Sequence, residues 1–85
     1  MTIDVQLRFF ASLREALGEG ETLALPGPST VGGVRDLLIA RGEPYATRLA
    51  RQKAVRAALD QAMCADDQPV TAPCEIAFFP PVTGG

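Results

Sequence analysis

The chain has 85 residues, 47% of them apolar and 21% charged, a composition that fits one small globular domain and excludes extensive disorder or a second core. Its formal net charge of −2 argues against nucleic acid as the main partner. The absence of histidine removes His-based triads, His-ligated metals and a proton switch near neutral pH, and two cysteines, Cys64 and Cys74, are too few for a disulfide scaffold.

Ile3, Val5, Leu7 and Phe9 alternate with Asp4, Gln6 and Arg8, the period of a half-buried strand. Phe10 then falls on the opposite face. A short helix is predicted from about Ala11, with Leu13, Ala16 and Leu17 on one side and Gly18 closing it. "ETLALPG" reads as a second strand with Leu23 and Leu25 inward. Thr30 is placed to cap a second helix whose apolar stripe is Val31, Val34, Leu37 and Leu38, with Gly42 as its stop. Gly32 and Gly33 are poor helix formers, so the start of this helix is expected to fray. Pro44 suits the first turn of one or two further helical turns.

"AVRAALDQAMC" predicts a hairpin turning at Asp60 and Gln61, which pairs Leu59 with Ala62 and Ala58 with Met63. Val55, Ala57 and Leu59 then face the core, and Arg56, Ala58 and Met63 face outward. "ADDQPVTAP" reads as a loop, and "CEIAFF" as the last strand with Ile76 and Phe78 inward and Ala77 and Phe79 outward. The basic cluster Arg48, Arg51, Lys53 and Arg56 reads as a solvated helix face. No apolar run reaches the length of a membrane span and the N-terminus lacks a signal-peptide pattern, which predicts a cytoplasmic protein.

The first and last strands are the most hydrophobic, which places them side by side in the middle of a sheet with the helices on one face. This is an α+β fold with a mixed sheet, the β-grasp arrangement of ubiquitin-like proteins, over residues 1–80, with 81–85 as a flexible Gly-Gly tail. The second face of the sheet is left uncovered. Phe10, Met63 and Phe79 project from it and are expected to form an apolar patch for a partner; a one-residue slip in register would instead bury them. Arg14 lies at the rim of that patch, and by spacing alone is an ordinary solvated helix charge.

Pro80 and Pro81 lack amide donors and hold φ near −65°, so they stop the sheet and make a stiff spacer. Val82 and Thr83 carry small side chains, and Gly84 and Gly85 carry none. Such a tail can pass through a narrow channel and bring a carboxylate to another protein's active site; an ordinary frayed end is the alternative. A free α-carboxylate is ionised at neutral pH and is a poor acyl donor until something activates it, for instance as an acyl-adenylate made from ATP. Nothing in the domain pairs a nucleophile with a base, so that chemistry belongs to partners.

"FFASLREALG", "LDQAM" and above all "EIAFFPPVTGG" resemble the MoaD-type sulfur carriers, the small subunits of molybdopterin synthase, over nearly the whole chain. The resemblance implies a subunit with no independent activity. In that family an E1-like adenylyltransferase adenylates the terminal glycine with ATP, a sulfur donor converts it to a thiocarboxylate, and the tail inserts into the large subunit, where sulfur passes to cyclic pyranopterin monophosphate. By position, Gly85 is then the adenylated and thiocarboxylated residue and Gly84 its neighbour in the channel. Phe10, Met63 and Phe79 fall on the partner surface, Arg14 pairs with the large subunit, and Pro80, Pro81, Val82 and Thr83 accompany the tail. No stably bound cofactor or metal is implied, and the assembly is a heterotetramer with no membrane or nucleic-acid partner.

The chain departs from the family pattern in three places: Asp60 for a common Asn, Pro73 and Cys74 for Gly-Asp, and Gly33 for the Glu of a capping box. Cys64 and Cys74 are expected to be small buried or edge hydrophobes. A ubiquitin-like modifier, or a carrier for thiamine or cysteine synthesis, is the alternative reading, and a plain β-grasp interaction module a third. Those relatives share the Gly-Gly end but generally lack "FFPP".

Overall fold

The computed structural model describes residues 2–81. The chain runs β1 (Ile3–Phe9), α1 (Ala11–Leu17), β2 (Gly20–Leu25), β3 (Ser29–Thr30), α2 (Val31–Ile39), α3 (Tyr45–Arg48), β4 (Arg56–Leu59), β5 (Ala62–Cys64), β6 (Pro69–Val70) and β7 (Cys74–Phe79). Five strands form a mixed sheet in the order β2-β1-β7-β4-β5, and β3 pairs with β6 separately. β1 and β7 lie parallel at the centre, Phe9 opposite Phe78, with the other pairs antiparallel. This is the expected β-grasp sheet.

Strand alternation dictates the layering. Val5, Leu7 and Phe9 from β1 and Ile76 and Phe78 from β7 are buried with Leu13 of α1 and Val31, Val34 and Leu38 of α2, so the helices cover one face. Burying these large apolar side chains is worth roughly 1.5–3 kcal/mol each before chain entropy is charged against it. The Phe9 and Phe78 rings stack at 6.1 Å inside this core.

The start of α2 is held rather than frayed. Val31 N–H donates to the Gln68 carbonyl at 2.9 Å, Gly32 N–H to the Asp66 carbonyl at 2.7 Å, and Gly33 N–H to Thr30 Oγ1 at 3.0 Å. The two glycines are there for proximity: a Cβ on Gly32 would meet the Asp66 backbone at 3.1 Å, and one on Gly33 would meet Ser29 Oγ at 2.2 Å. The segment read as a loop before β7 thus contains β6, whose pairing with β3 leads the chain into these contacts.

The stripe of α2 also differs from expectation. Leu37 is 46% exposed, and the inward position beside Val31, Val34 and Leu38 belongs to Arg35, which is 2% exposed. Its Nε donates to the Leu49 carbonyl at 2.6 Å and its Nη2 to those of Ala50 at 2.6 Å and Lys53 at 3.1 Å, while Nη1 reaches Asp66 Oδ2 at 3.3 Å. Burial lowers the pKa of this guanidinium from its ordinary value, and Asp66 opposes the shift. The basic cluster is not one helix face: Arg48 ends α3, Arg51 binds Asp36 and Asp66, and Arg56 lies on β4.

Candidate functional site: the open sheet face and its exit to the C-terminus

Opposite the helices, outward side chains fall in rows set by the register. Arg8, Ala77, Ala58 and Met63 lie across β1, β7, β4 and β5 in one row. Phe79 and Arg56 are opposite one another in the next row, where Phe10 joins them from the end of β1. The Phe10 and Phe79 rings stack at 4.9 Å with planes 10° apart. Each ring hides part of the other, so both are half-buried, while Met63 is 54% exposed. Ala58 and Ala77 make the low floor between them.

Local backbone geometry holds Phe10 there. Its N–H donates to the Phe78 carbonyl at 3.2 Å, which extends the β1–β7 pairing by one residue. Ala11 then takes φ +52°, a left-handed conformation costing an alanine on the order of 1 kcal/mol, and the chain enters α1 at once. That abrupt turn leaves Phe10 on the open face while Leu13 reaches the core. Arg14, one turn on, is exposed and bonds Glu19 Oε1 through Nη2 at 2.8 Å.

Past Phe79, Pro80 is half-buried and Pro81 exposed, so the chain leaves the sheet at its apolar end. The expected sites at Val82, Thr83, Gly84 and Gly85 lie outside the described residues. Cys64 and Cys74 are both half-buried free thiols, and burial pushes each thiol pKa up, which keeps them protonated at neutral pH and unsuited to nucleophilic work. Among the described residues no group of three or more His, Cys, Asp or Glu is placed to hold a metal ion, and no helix is long and apolar enough to cross a membrane.

One contact was missed in the sequence. The Arg8 guanidinium lies 5.5 Å from the centre of the Phe10 ring. The signal was available, because Arg8 and Phe10 are two apart on one strand and so share a face.

The profile of the ThiS family matches residues 7–85. The chain belongs to the ThiS family. The resemblance to MoaD-type carriers holds over its length: the molybdopterin synthase sulfur carrier subunit of Escherichia coli (strain K12) is 37% identical to this ThiS-family chain over 81 residues, 95% of this chain and 99% of its own. The Haloferax volcanii HVO 2177 protein, solved in solution, superposes with a TM-score of 0.83 at 27% identity, covering 99% of this chain and 88% of that one. SAMP1 from Haloferax volcanii, known from a crystal structure, gives 0.74 at 25% identity, covering 96% and 99%.

Proposed function

We propose that this chain is the sulfur-carrier subunit of a molybdopterin synthase and has no independent catalytic activity. The observation that carries the reading is the 37% identity to a molybdopterin synthase sulfur carrier subunit across almost the full length of both proteins. The stacked Phe10–Phe79 pair beside the exit at Pro80 supports it, because an apolar docking face at the root of the C-terminal segment suits a domain that presents that segment to a partner.

In this reading the Gly85 carboxylate attacks the α-phosphate of ATP on an E1-like adenylyltransferase, releasing pyrophosphate. Hydrosulfide supplied by a sulfur donor then attacks the acyl carbon, displaces AMP and leaves a thiocarboxylate. Docking by Phe10, Arg14, Met63, Phe79 and Pro80 on the large subunit sends Pro81, Val82, Thr83 and Gly84 into a channel. There Gly85 delivers sulfur to cyclic pyranopterin monophosphate, within a heterotetramer of two small and two large subunits in the cytoplasm.

Mass spectrometry after incubation with ATP, an E1-like enzyme and a sulfur source tests this. The expected result is exchange of one oxygen for one sulfur, located at Gly85. An unchanged mass under conditions that load a known carrier would sink the proposal. The likeness to SAMP1 favours a second reading as a ubiquitin-like modifier; an amide between Gly85 and a lysine of another protein in the same mixture, with no thiocarboxylate, would select it.

A further inference from the structure

We propose that Arg8 and Arg56 are specificity-determining residues of the open face, selecting a protein partner whose apolar docking surface carries carboxylates on two sides. The inference rests on the reading that this face docks the synthase large subunit. Neither arginine belongs to the apolar patch or the tail. Both follow from the register.

Arg8 stands on β1 opposite Ala77, and Arg56 on β4 opposite Phe79, so the two guanidiniums flank the strand from which the C-terminal segment leaves. Arg14, nearby on α1, is already paired with Glu19. Apart from that Glu19, the acidic groups of this face lie nearer the start of β1. Asp4 begins β1, Glu75 is opposite Gln6, and Asp60 binds the backbone of Glu75. In a chain of net charge −2, Arg8 and Arg56 thus stand beside the stacked Phe10 and Phe79 at the tail end of the open face.

These two charges are available to a partner. Arg8 is 56% exposed, and its one ion pair among the described residues, with Glu75, is long at 3.8 Å. Its guanidinium carbon lies 5.5 Å from the centre of the Phe10 ring, and the exposed side chain can offer N–H groups to a partner carboxylate. No acidic side chain among the described residues lies within ion-pair distance of Arg56. By contrast Arg35, Arg41 and Arg51 are engaged by Asp66, Glu21 and Asp36. Arg8, Phe10 and Arg14, together with Glu19 and Glu21, also line a cleft of about 330 Å³, room for a partner side chain.

An apolar surface without carboxylates would strip water from both guanidiniums and return nothing, so the pair rejects such partners as well as attracting the right one. The charge gradient along the strands further sets which way round the partner sits. That orientation aims the segment after Pro80.

The test is stopped-flow association of the intact chain with the purified large subunit of its own synthase, over a salt series. Arg8→Glu/Arg56→Glu should lower kon by about tenfold or more at low salt and flatten the salt dependence, with an unchanged circular dichroism spectrum. Lys at both positions should restore most of kon. If the charge reversals unfold the chain, Arg8→Gln/Arg56→Gln replaces them, with a loss of about threefold or more expected. An unchanged kon and salt slope in a folded double variant would overturn the inference while the large subunit remained the partner. A wild-type chain that does not bind the large subunit would overturn the functional reading, and this inference with it.

Discussion

A Cβ added to Gly20 would sit 1.9 Å from the carbonyl oxygen of Leu7, on backbone that already holds φ +151°. Gly20 is paired with Arg8 at the edge where Glu19 accepts from Phe9 N–H at 3.0 Å, so any shift there is felt in the strand that carries Phe9 and Phe10. Gly20→Ala should therefore destabilise the fold by more than about 2 kcal/mol, beyond the ordinary range for a single substitution without a named defect. Gly27→Ala, where a Cβ meets nothing within 4 Å, should stay within about 0.5 kcal/mol. Urea unfolding of the two variants measures the difference. Arg35 is the polar counterpart. Arg35→Met retains the aliphatic bulk but strands the carbonyls of Leu49, Ala50 and Lys53, and each buried acceptor left without a donor costs about 1–3 kcal/mol unless water enters. The expected loss is roughly 2–4 kcal/mol in the same assay.

Elements with a strong period were legible, and elements made by a few long-range contacts were not. The β4–β5 turn belongs to the first group: Leu59 faces Ala62 and Ala58 faces Met63 as the spacing requires. Asp60 and Gln61 have φ of +48° and +71°, the pair of positive values that a two-residue hairpin turn needs. Asp60 fits this job twice over, since its N–H donates to the Glu75 carbonyl at 2.8 Å and its Oδ1 accepts from Glu75 N–H at 2.9 Å. Gln61 has no such compensation. Gln61→Gly should relieve its strain and raise the unfolding free energy measured in urea by up to about 1 kcal/mol, whereas Asp60→Ala should lower it by a similar amount. The pairing of β3 with β6 spans two residues per strand and has no period to detect. Helix propensity at Gly32 and Gly33 points to fraying, because the Gln68 and Asp66 carbonyls that hold the N–H groups of Val31 and Gly32 come from another segment. Leu37 reads as inward for the same kind of reason: periodicity marks a stripe but cannot tell that Arg35 will fill part of it by finding four acceptors.

Across the whole molecule, one sheet does two jobs that the sequence separates by parity. Phe9 and Phe78 stack on the helix side and Phe10 and Phe79 on the open side, so neighbouring residues in two strands divide between the core and the open face. Which of these faces was which could be read from alternation; that Phe10 and Phe79 stack on each other, and that Arg8 lies over Phe10, required the parallel register of β1 with β7. The division makes docking and delivery separable by mutation. Phe79→Asp places a carboxylate in the apolar centre of the open face without entering the core, so it should weaken binding to a synthase large subunit by about 100-fold or more and leave the circular dichroism spectrum and cooperative unfolding intact. Unfolding of that variant would contradict the placement of Phe79 on the open face. Removing Gly85 should do the opposite, because the apolar anchors are untouched while the group to be activated is gone: affinity stays within about tenfold and sulfur transfer is lost. Measured together by titration calorimetry and single-turnover transfer, the two variants should fall on separate axes, one defective in binding and one in chemistry. If deleting Gly85 cost as much affinity as Phe79→Asp, the C-terminal residues would be the main anchor and the sheet face secondary.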